Sequence, residues 1–182
     1  MDKEEMVLFE VFLGIFVVLL LSVVARVWWV LGRRRRDAHK RESPVKTLII
    51  AGSGGHTTEI IRLVSGLSSM YSPRIYVIAD TDKMSGNKID EFEQERQQLE
   101  NMDEKMTRRY EIQTIPRSRE VLQSWLTSFI TTLYATVFCF PLVFKSRPEL
   151  VICNGPGTCI PVCFAAIVMK IIGLQDVMIV LC

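Results

Sequence analysis

The sequence predicts an α/β protein in which an N-terminal transmembrane helix precedes one domain with a parallel, doubly wound sheet. Two observations carry this prediction. One long apolar segment lies close to the start of the chain. After it, short runs rich in β-branched residues alternate with segments whose apolar residues have helical spacing. That alternation is typical of a parallel sheet covered by helices on both faces.

Length and composition narrow the class of protein. The 182 residues fit one domain beside an anchor rather than a two-domain enzyme. A net charge of +2 argues against a strongly basic nucleic-acid-binding protein. The five cysteines are an odd number scattered through apolar stretches, which predicts reduced, mostly buried thiols. Cys159 and Cys163 have no matching pair of ligands, so we expect no metal site.

The first element is a transmembrane anchor at residues 6–31. This segment is apolar except for Glu10 and Arg26, and as a helix it would be about 39 Å long, enough to cross a bilayer. A cleaved signal peptide is the alternative. It is less favoured because residues 1–5 are acidic and no small-residue cleavage pattern follows the apolar core.

A basic juxtamembrane linker follows at residues 32–45. From Arg33 to Arg41 the chain carries six positive side chains and one negative one. Positively charged flanks stay on the cytosolic side, so we expect the domain that follows to be cytosolic and the linker to bind anionic lipid headgroups. A nuclear-localisation or nucleic-acid-binding role is less favoured beside a membrane span.

Residues 46–182 predict a Rossmann-like domain. Apolar residues at helical spacing indicate a helix at Thr58–Met70, and the highly charged segment at residues 80–109 indicates a solvated helix with loose ends. A further apolar helix follows residue 158. The runs typical of strands are Lys46–Ala51, Arg74–Ala79, Tyr110–Ile115, Glu149–Cys153 and Asp176–Leu181.

The uncharged segment Val121–Phe144 is long enough to span a membrane. Its large apolar residues share one face and its Ser and Thr residues the other, so we expect an amphipathic helix that packs on the sheet and can also dip into the membrane interface. An additional membrane span is the alternative. A second uncharged segment, residues 150–169, contains Gly and Pro early and is interpreted as a buried strand leading into a buried helix.

A glycine-rich turn between the first strand and the first helix is the strongest sign of a binding site. Glycines let the main chain approach a ligand, and the free N–H groups of a helix start favour an anion such as a diphosphate. The predicted contacts come from Ser53, Gly54, Gly55 and Thr57. A connection that binds no ligand is the alternative. The turn lacks the third glycine of a dinucleotide-binding fingerprint, because Thr57 occupies that position, and it lacks a Walker lysine.

His56 lies in this turn and is one of two histidines in the chain. It is our candidate catalytic residue, as a general base or as a hydrogen-bond donor to phosphate. The alternative is a positional role.

Two other loops also follow predicted strands, residues 116–119 and 154–158. In an open parallel sheet, ligands bind beyond the carboxyl ends of the strands, so the three loops should share one rim. Arg117 and Arg119 could clamp a diphosphate there, although a solvated loop or contact with lipid headgroups is an equally ordinary role.

Four separated segments together resemble the membrane subunit of the two-component N-acetylglucosaminyltransferase of dolichol-linked oligosaccharide synthesis. The resemblance extends from Val45 to the end of the chain. More distantly, the Gly-Gly-His turn is similar to the acceptor domain of the bacterial transferase that glycosylates the lipid-linked peptidoglycan precursor. The segments that carry the resemblance are Gly52–Glu59, Tyr76–Asp82, Ile115–Glu120 and Cys153–Thr158.

The resemblance implies the acceptor half of a GT-B fold, with a soluble partner subunit supplying the UDP-sugar domain. It implies addition of a second N-acetylglucosamine, β1,4, to N-acetylglucosaminyl-diphosphodolichol on the cytosolic face of the endoplasmic reticulum. No cofactor or metal is implied. Family members continue beyond the last predicted strand, so the domain is expected to be truncated at Cys182.

By the same resemblance, Gly54, Gly55 and His56 would lie near the acceptor's diphosphate or its attacking hydroxyl. The other side of the rim would be completed by Asn154, Gly155, Gly157 and Thr158.

Two other functions remain open from the sequence. A membrane-bound nucleotide-dependent oxidoreductase would use Asp80 or Asp82 to hold a ribose. The missing fingerprint glycine and the lack of a Tyr-x-x-x-Lys pair argue against it. The second is a membrane scaffold without catalytic function.

Overall fold

The computed structural model describes residues 3–32, 43–99, 110–118 and 123–182. The chain divides into two compact units, Met1–Lys40 and Arg41–Cys182. In the first unit a single helix, α1 (Lys3–Gly32), covers the predicted anchor, and its apolar side chains are largely exposed. The predicted basic run from Arg33 to Arg41 lies outside the described residues.

The second unit contains a five-stranded sheet in the order β3-β2-β1-β4-β5. Every neighbouring pair of strands is parallel, which confirms the predicted α/β class. Each strand begins and ends within two residues of its predicted bounds. The strands are β1 (Thr47–Ala51), β2 (Arg74–Ala79), β3 (Tyr110–Ile115), β4 (Leu150–Asn154) and β5 (Met178–Leu181).

Four helices lie between the strands in the part of the chain that the structure describes. They are α2 (Gly55–Ser65), α3 (Lys83–Leu99), α4 (Trp125–Ser146) and α5 (Pro156–Ile171). The predicted bounds of the first of these were wrong, because α2 begins three residues before Thr58 and ends five before Met70. Helical spacing of apolar residues marks the buried face of a helix, whereas its ends depend here on Gly54 and Gly66, which occupy the cap positions.

Successive strand residues point to opposite faces of the sheet, which creates two cores. Leu48 and Ile50 of β1 belong to a core shared with α4 and α5. Ile49 and Ala51 of the same strand face α2 and α3. Helices therefore cover both faces, as the doubly wound prediction requires.

A buried ionic cluster attaches α3 to β2. The Nε and Nη2 of Arg74 donate to the two carboxylate oxygens of Glu93 at 2.7 and 2.6 Å, and Tyr76 donates its hydroxyl to the same carboxylate at 2.5 Å. Glu93 and Tyr76 are fully buried. Desolvation and the neighbouring Glu93 raise the pKa of Tyr76, so the phenol stays protonated and remains a donor.

Helix α4 packs on the sheet, as expected, but it does so through its small residues rather than its large apolar ones. The side chains that α4 buries are mostly small, namely Ala135, Thr136, Cys139, Val143 and Ser146. The helix packs closely against α5, and small residues permit that approach, whereas bulky ones there would hold the helices apart. The large apolar side chains of α4 that face outward include Trp125, Leu126, Phe129, Ile130, Leu133 and Val137.

Two helices of the described chain are long and apolar enough to cross a membrane, judged by length and composition alone. They are Glu4–Val30 within α1 and Trp125–Ser146, which is α4.

Candidate functional site

The candidate site lies where the connectivity of the sheet reverses. From β1 the chain moves outward to β2 and β3, then returns to the other side of β1 to form β4 and β5. The connections that leave the carboxyl ends of β1 and β4 therefore diverge, which opens a crevice between neighbouring strands. The loop before α2 and the loop before α5 border this crevice.

Glycines permit these two loops to touch. A Cβ added to Gly52 would lie 2.9 Å from the carbonyl oxygen of Asn154, and one added to Gly155 would lie 3.3 Å from the ring of His56. Gly54 and Gly155 also have φ angles of 70° and 101°, which L side chains rarely adopt. At these positions a side chain would separate the loops or strain the main chain.

Two helices begin at the crevice without a side-chain cap. Gly54 occupies the N-cap of α2 and Gly155 that of α5, and neither can offer a side-chain acceptor to the N–H groups of the first turn. Ser53, Gly54 and Gly55 are exposed beside them, while Gly155 and Gly157 are partly exposed. Helix N-termini with free N–H groups attract anions, so the geometry suits a phosphate or diphosphate.

His56 projects from the first turn of α2 and is 46% exposed. Its Nδ1 lies 3.2 Å from Oε2 of Glu59, one turn further along the helix. Asn154, at the end of β4, donates its side-chain amide to the same oxygen at 2.8 Å. The carboxylate thus joins two predicted site residues, one from α2 and one from the end of β4.

These contacts explain the ionisation of Glu59. The hydrogen bond from Asn154, and next that from His56, hold the pKa of this carboxyl below its ordinary value. Glu59 belongs to the glycine-rich segment, but no role was predicted for it from the sequence. Its spacing of three residues from His56 was the only available signal, because Asn154 is 95 residues away.

The third predicted loop reaches the same rim. The Nη2 of Arg117 donates to Oγ of Ser53 at 3.4 Å, and Oγ of Ser118 donates to the carbonyl oxygen of Gly157 at 2.6 Å. The three loops therefore meet, as predicted. Arg119 lies outside the described residues.

Thr57 and Thr158 differ from the other predicted contacts because both are buried. The Thr57 hydroxyl lies 2.6 Å from the carbonyl oxygen of Gly52 and 2.6 Å from Oγ of Ser85. Its side chain therefore braces the turn, and the residue as a whole is buried.

Asp82 has a local structural role. Its carboxylate accepts hydrogen bonds from the main-chain N–H and the hydroxyl of Ser85, at 3.1 and 2.6 Å. The oxidoreductase hypothesis needs an acidic residue here to hold a ribose, and Asp82 is already engaged. Asp80 is exposed.

The five cysteines are free thiols. Cys139, Cys153 and Cys159 are buried, which agrees with the sequence-based interpretation. Within residues 3–32, 43–99, 110–118 and 123–182, no group of three or more His, Cys, Asp or Glu residues is placed to hold a metal ion.

Comparison with known proteins identifies the relatives of this chain. The family model described as "Oligosaccharide biosynthesis protein Alg14 like" matches residues 47–182. The chain is 51% identical over 158 residues to the UDP-N-acetylglucosamine transferase subunit ALG14 of Homo sapiens, covering 87% of this chain and 71% of the human protein.

Two further relatives carry the same name. The Mus musculus protein is 50% identical over 162 residues, which cover 89% of this chain and 73% of the relative. The Yarrowia lipolytica protein is 33% identical over 141 residues, which cover 77% and 62%. No solved structure matches the chain significantly. From the family match and the extent of these similarities, we conclude that the chain belongs to the Alg14 family of oligosaccharide biosynthesis proteins.

Proposed function

We propose that this chain is the membrane-anchoring, acceptor-side subunit of a UDP-N-acetylglucosamine transferase. In this proposal it binds N-acetylglucosaminyl-diphosphodolichol on the cytosolic face of the endoplasmic reticulum and recruits a soluble catalytic subunit that binds UDP-N-acetylglucosamine. The pair adds the second N-acetylglucosamine through a β1,4 linkage. The names of the relatives support the transferase assignment, and the crevice supports the acceptor side.

One observation carries the proposal. Two helices that begin at glycine N-caps, α2 and α5, meet at one crevice, with Arg117 beside them. A diphosphate is an anion with several acceptor oxygens, and both helix N-termini and a guanidinium stabilise such a group. The diphosphate-binding residues in this proposal are Ser53, Gly54, Gly55, Thr57, Arg117, Arg119, Asn154, Gly155, Gly157 and Thr158.

A partner subunit follows from the number of sites the reaction needs. Transfer requires a lipid acceptor and a nucleotide-sugar donor in contact. The described chain has one sheet, and that sheet has one point at which its connectivity reverses. The relatives are named as subunits of a transferase, so we assign the nucleotide-binding sheet to a partner chain.

Membrane attachment is supported by two helices. The N-terminal helix α1 is apolar over most of its length and exposed. In the second unit, α4 turns its bulky apolar face outward, and Thr131 of this helix donates to the carbonyl oxygen of Ser118 on the rim at 2.7 Å. The apolar face thus begins beside the proposed diphosphate site, where a polyisoprenyl chain would extend toward the bilayer.

His56 is the proposed general base. Its imidazole would take the proton from the 4-hydroxyl of the acceptor sugar while that oxygen forms a bond to C1 of the donor sugar. The bond from C1 to the UDP oxygen breaks, and UDP leaves with the electron pair. Because His56 is exposed at the crevice, its ring is accessible to an acceptor hydroxyl.

A transfer assay tests the proposal. Full-length chain in detergent micelles is supplied with UDP-N-acetylglucosamine and the lipid-linked acceptor, first alone and then with the soluble donor-binding subunit. We expect the disaccharide product only in the complete mixture. Product formed by this chain alone, or by the soluble subunit alone at the same rate as by the pair, would contradict the proposal.

A further inference from the structure

We propose that Glu59 is the positioning residue for His56, holding its imidazole in the tautomer that leaves Nε2 free to accept a proton. This inference rests on the proposed function for its catalytic consequence. The geometry behind it, however, is a property of the chain alone.

The donor and acceptor capacities of the two side chains determine the tautomer of His56. An ionised carboxylate can only accept hydrogen bonds, so the contact between Glu59 Oε2 and His56 Nδ1 requires a proton on Nδ1. In a neutral imidazole the other nitrogen, Nε2, then carries a lone pair. A base that takes a proton from the acceptor hydroxyl needs such a nitrogen.

Asn154 fixes the carboxylate in turn. Its amide donates to the same oxygen of Glu59 that contacts His56, at 2.8 Å. The carboxylate is therefore held from β4 as well as from α2, which restricts its side-chain rotamers although the group is exposed. A histidine ring oriented by a carboxylate, itself oriented by a further donor, is a recurrent arrangement around catalytic bases.

The imidazole also fits closely between the loops. A Cβ added to Gly155 would lie 3.3 Å from both Cδ2 and Cγ of His56. The ring thus lies against the glycine on one side and has its Nδ1 edge toward Glu59. The contact with Gly155 and the hydrogen bond to Glu59 together fix the rotation of the ring. Glu59 also fixes the position of its proton.

Nitrogen NMR of histidine tests the inference without reference to activity. The full chain is labelled with ¹⁵N in its imidazole rings and measured at a pH where histidine is neutral, since protonated and unprotonated ring nitrogens differ strongly in chemical shift. The chain has two histidines, and a His39→Ala variant assigns the signals of His56. We expect wild-type His56 to carry its proton on Nδ1.

Two substitutions of Glu59 and one control variant test whether this residue determines the tautomer. Glu59→Ala should move the His56 proton mainly to Nε2. Glu59→Gln keeps the shape of the side chain and an oxygen for Asn154, but an amide can donate as well as accept, so it should give a mixture of tautomers. Glu95→Gln, an exposed glutamate of α3, should leave the wild-type signals unchanged.

Kinetics supply the second readout. In the complete transfer assay, Glu59→Ala should lower kcat by about tenfold while KM for the lipid acceptor changes little, because a misplaced proton affects the chemical step. Glu59→Gln should fall between wild type and Glu59→Ala.

Failure of this inference is distinguishable from failure of the proposed function. An Nε2-protonated wild-type ring, or an Nδ1-protonated ring that persists in Glu59→Ala, would overturn the role of Glu59 whatever the activity. If the NMR result is as expected but the wild-type pair transfers no sugar, the proposed function fails and the positioning of His56 by Glu59 stands.

Discussion

Gly155 illustrates how single residues hold the site together. It supplies a positive φ at the start of α5, contacts the ring of His56, and follows the asparagine that donates to Glu59. The sequence marked it as a turn residue, and that could be predicted because Asn-Gly-Pro-Gly is a strong turn signal. Its contact with His56 could not, because it depends on two loops that are far apart in the sequence.

Substitution of Gly155 by alanine tests this packing. We expect a loss of about 1–3 kcal/mol in the free energy of unfolding, because the residue has φ of 101° and the new methyl would press on the imidazole. Chemical denaturation measures the loss. Gly66→Ala is a matched control, since Gly66 has a helical φ of −80° and a Cβ there would lie an ordinary 3.6 Å from its nearest neighbour. Equal stability of Gly155→Ala and wild type would contradict the described loop contact.

Substitution of His56 by alanine tests its role as base. We expect kcat of the complete pair to fall by about 100-fold or more, while association with the soluble subunit persists. Steady-state kinetics and co-purification measure the two properties. Unchanged turnover would remove His56 from the catalytic machinery.

The lowered pKa of Glu59 predicts a dependence of stability on pH. Because the pKa is lower in the folded chain than in the unfolded one, the contribution is complete above the ordinary value of 4.5 and disappears as the pH falls through the folded value. Thermal unfolding of wild type and Glu59→Gln should therefore differ near neutral pH and converge in acid. If the difference in stability between wild type and Glu59→Gln grows as the pH falls, the lowered pKa of Glu59 would be contradicted.

At the scale of elements, strands were predictable and the orientation of one helix was not. Runs such as Arg74–Ala79 are short, β-branched and bounded by turn residues, so their bounds agree with the structure. Helix α4 shows why hydrophobic periodicity can mislead. The pattern identifies the two faces of a helix, but it does not show which face is buried. In the structure, close packing against α5 buries the small residues, and this depends on tertiary contacts.

The outward face of α4 predicts a second membrane contact. A chain that lacks residues 1–41 should still bind vesicles, and Phe129→Ser combined with Leu133→Ser should release it, because both side chains are largely exposed. Flotation with vesicles measures binding. Met84→Ser removes a comparably exposed apolar residue from α3 and should have no effect. Equal flotation of the double variant and its parent would contradict a membrane-facing α4.

The buried cluster between β2 and α3 predicts a large effect on stability. Glu93→Ala removes the partner of a guanidinium that is 3% exposed, so we expect a loss of about 3–5 kcal/mol in the free energy of unfolding. Glu95→Ala changes an exposed glutamate of the same helix and should alter stability by less than about 0.5 kcal/mol. Chemical denaturation compares the two. Similar effects would contradict the buried pair.

At the scale of the whole molecule, we propose that this chain binds one substrate and that a partner binds the other. The parallel sheet and the glycine-rich turns could be predicted from local sequence patterns, whereas the strand order, with its reversal between β1 and β4, depends on tertiary contacts. The acceptor, the donor and the partner could not, because a crevice lined by helix N-termini identifies an anion but not the molecule that carries it. Those assignments come from the family.

Equilibrium binding to the isolated chain distinguishes an acceptor-binding subunit from a nucleotide-binding enzyme. We expect the chain in nanodiscs to bind N-acetylglucosaminyl-diphosphodolichol without its partner, Gly155→Ala to weaken this binding by about tenfold or more, and UDP-N-acetylglucosamine and NAD(P) not to bind tightly. Tight binding of either nucleotide, with no affinity for the lipid diphosphate, would contradict the acceptor-binding role.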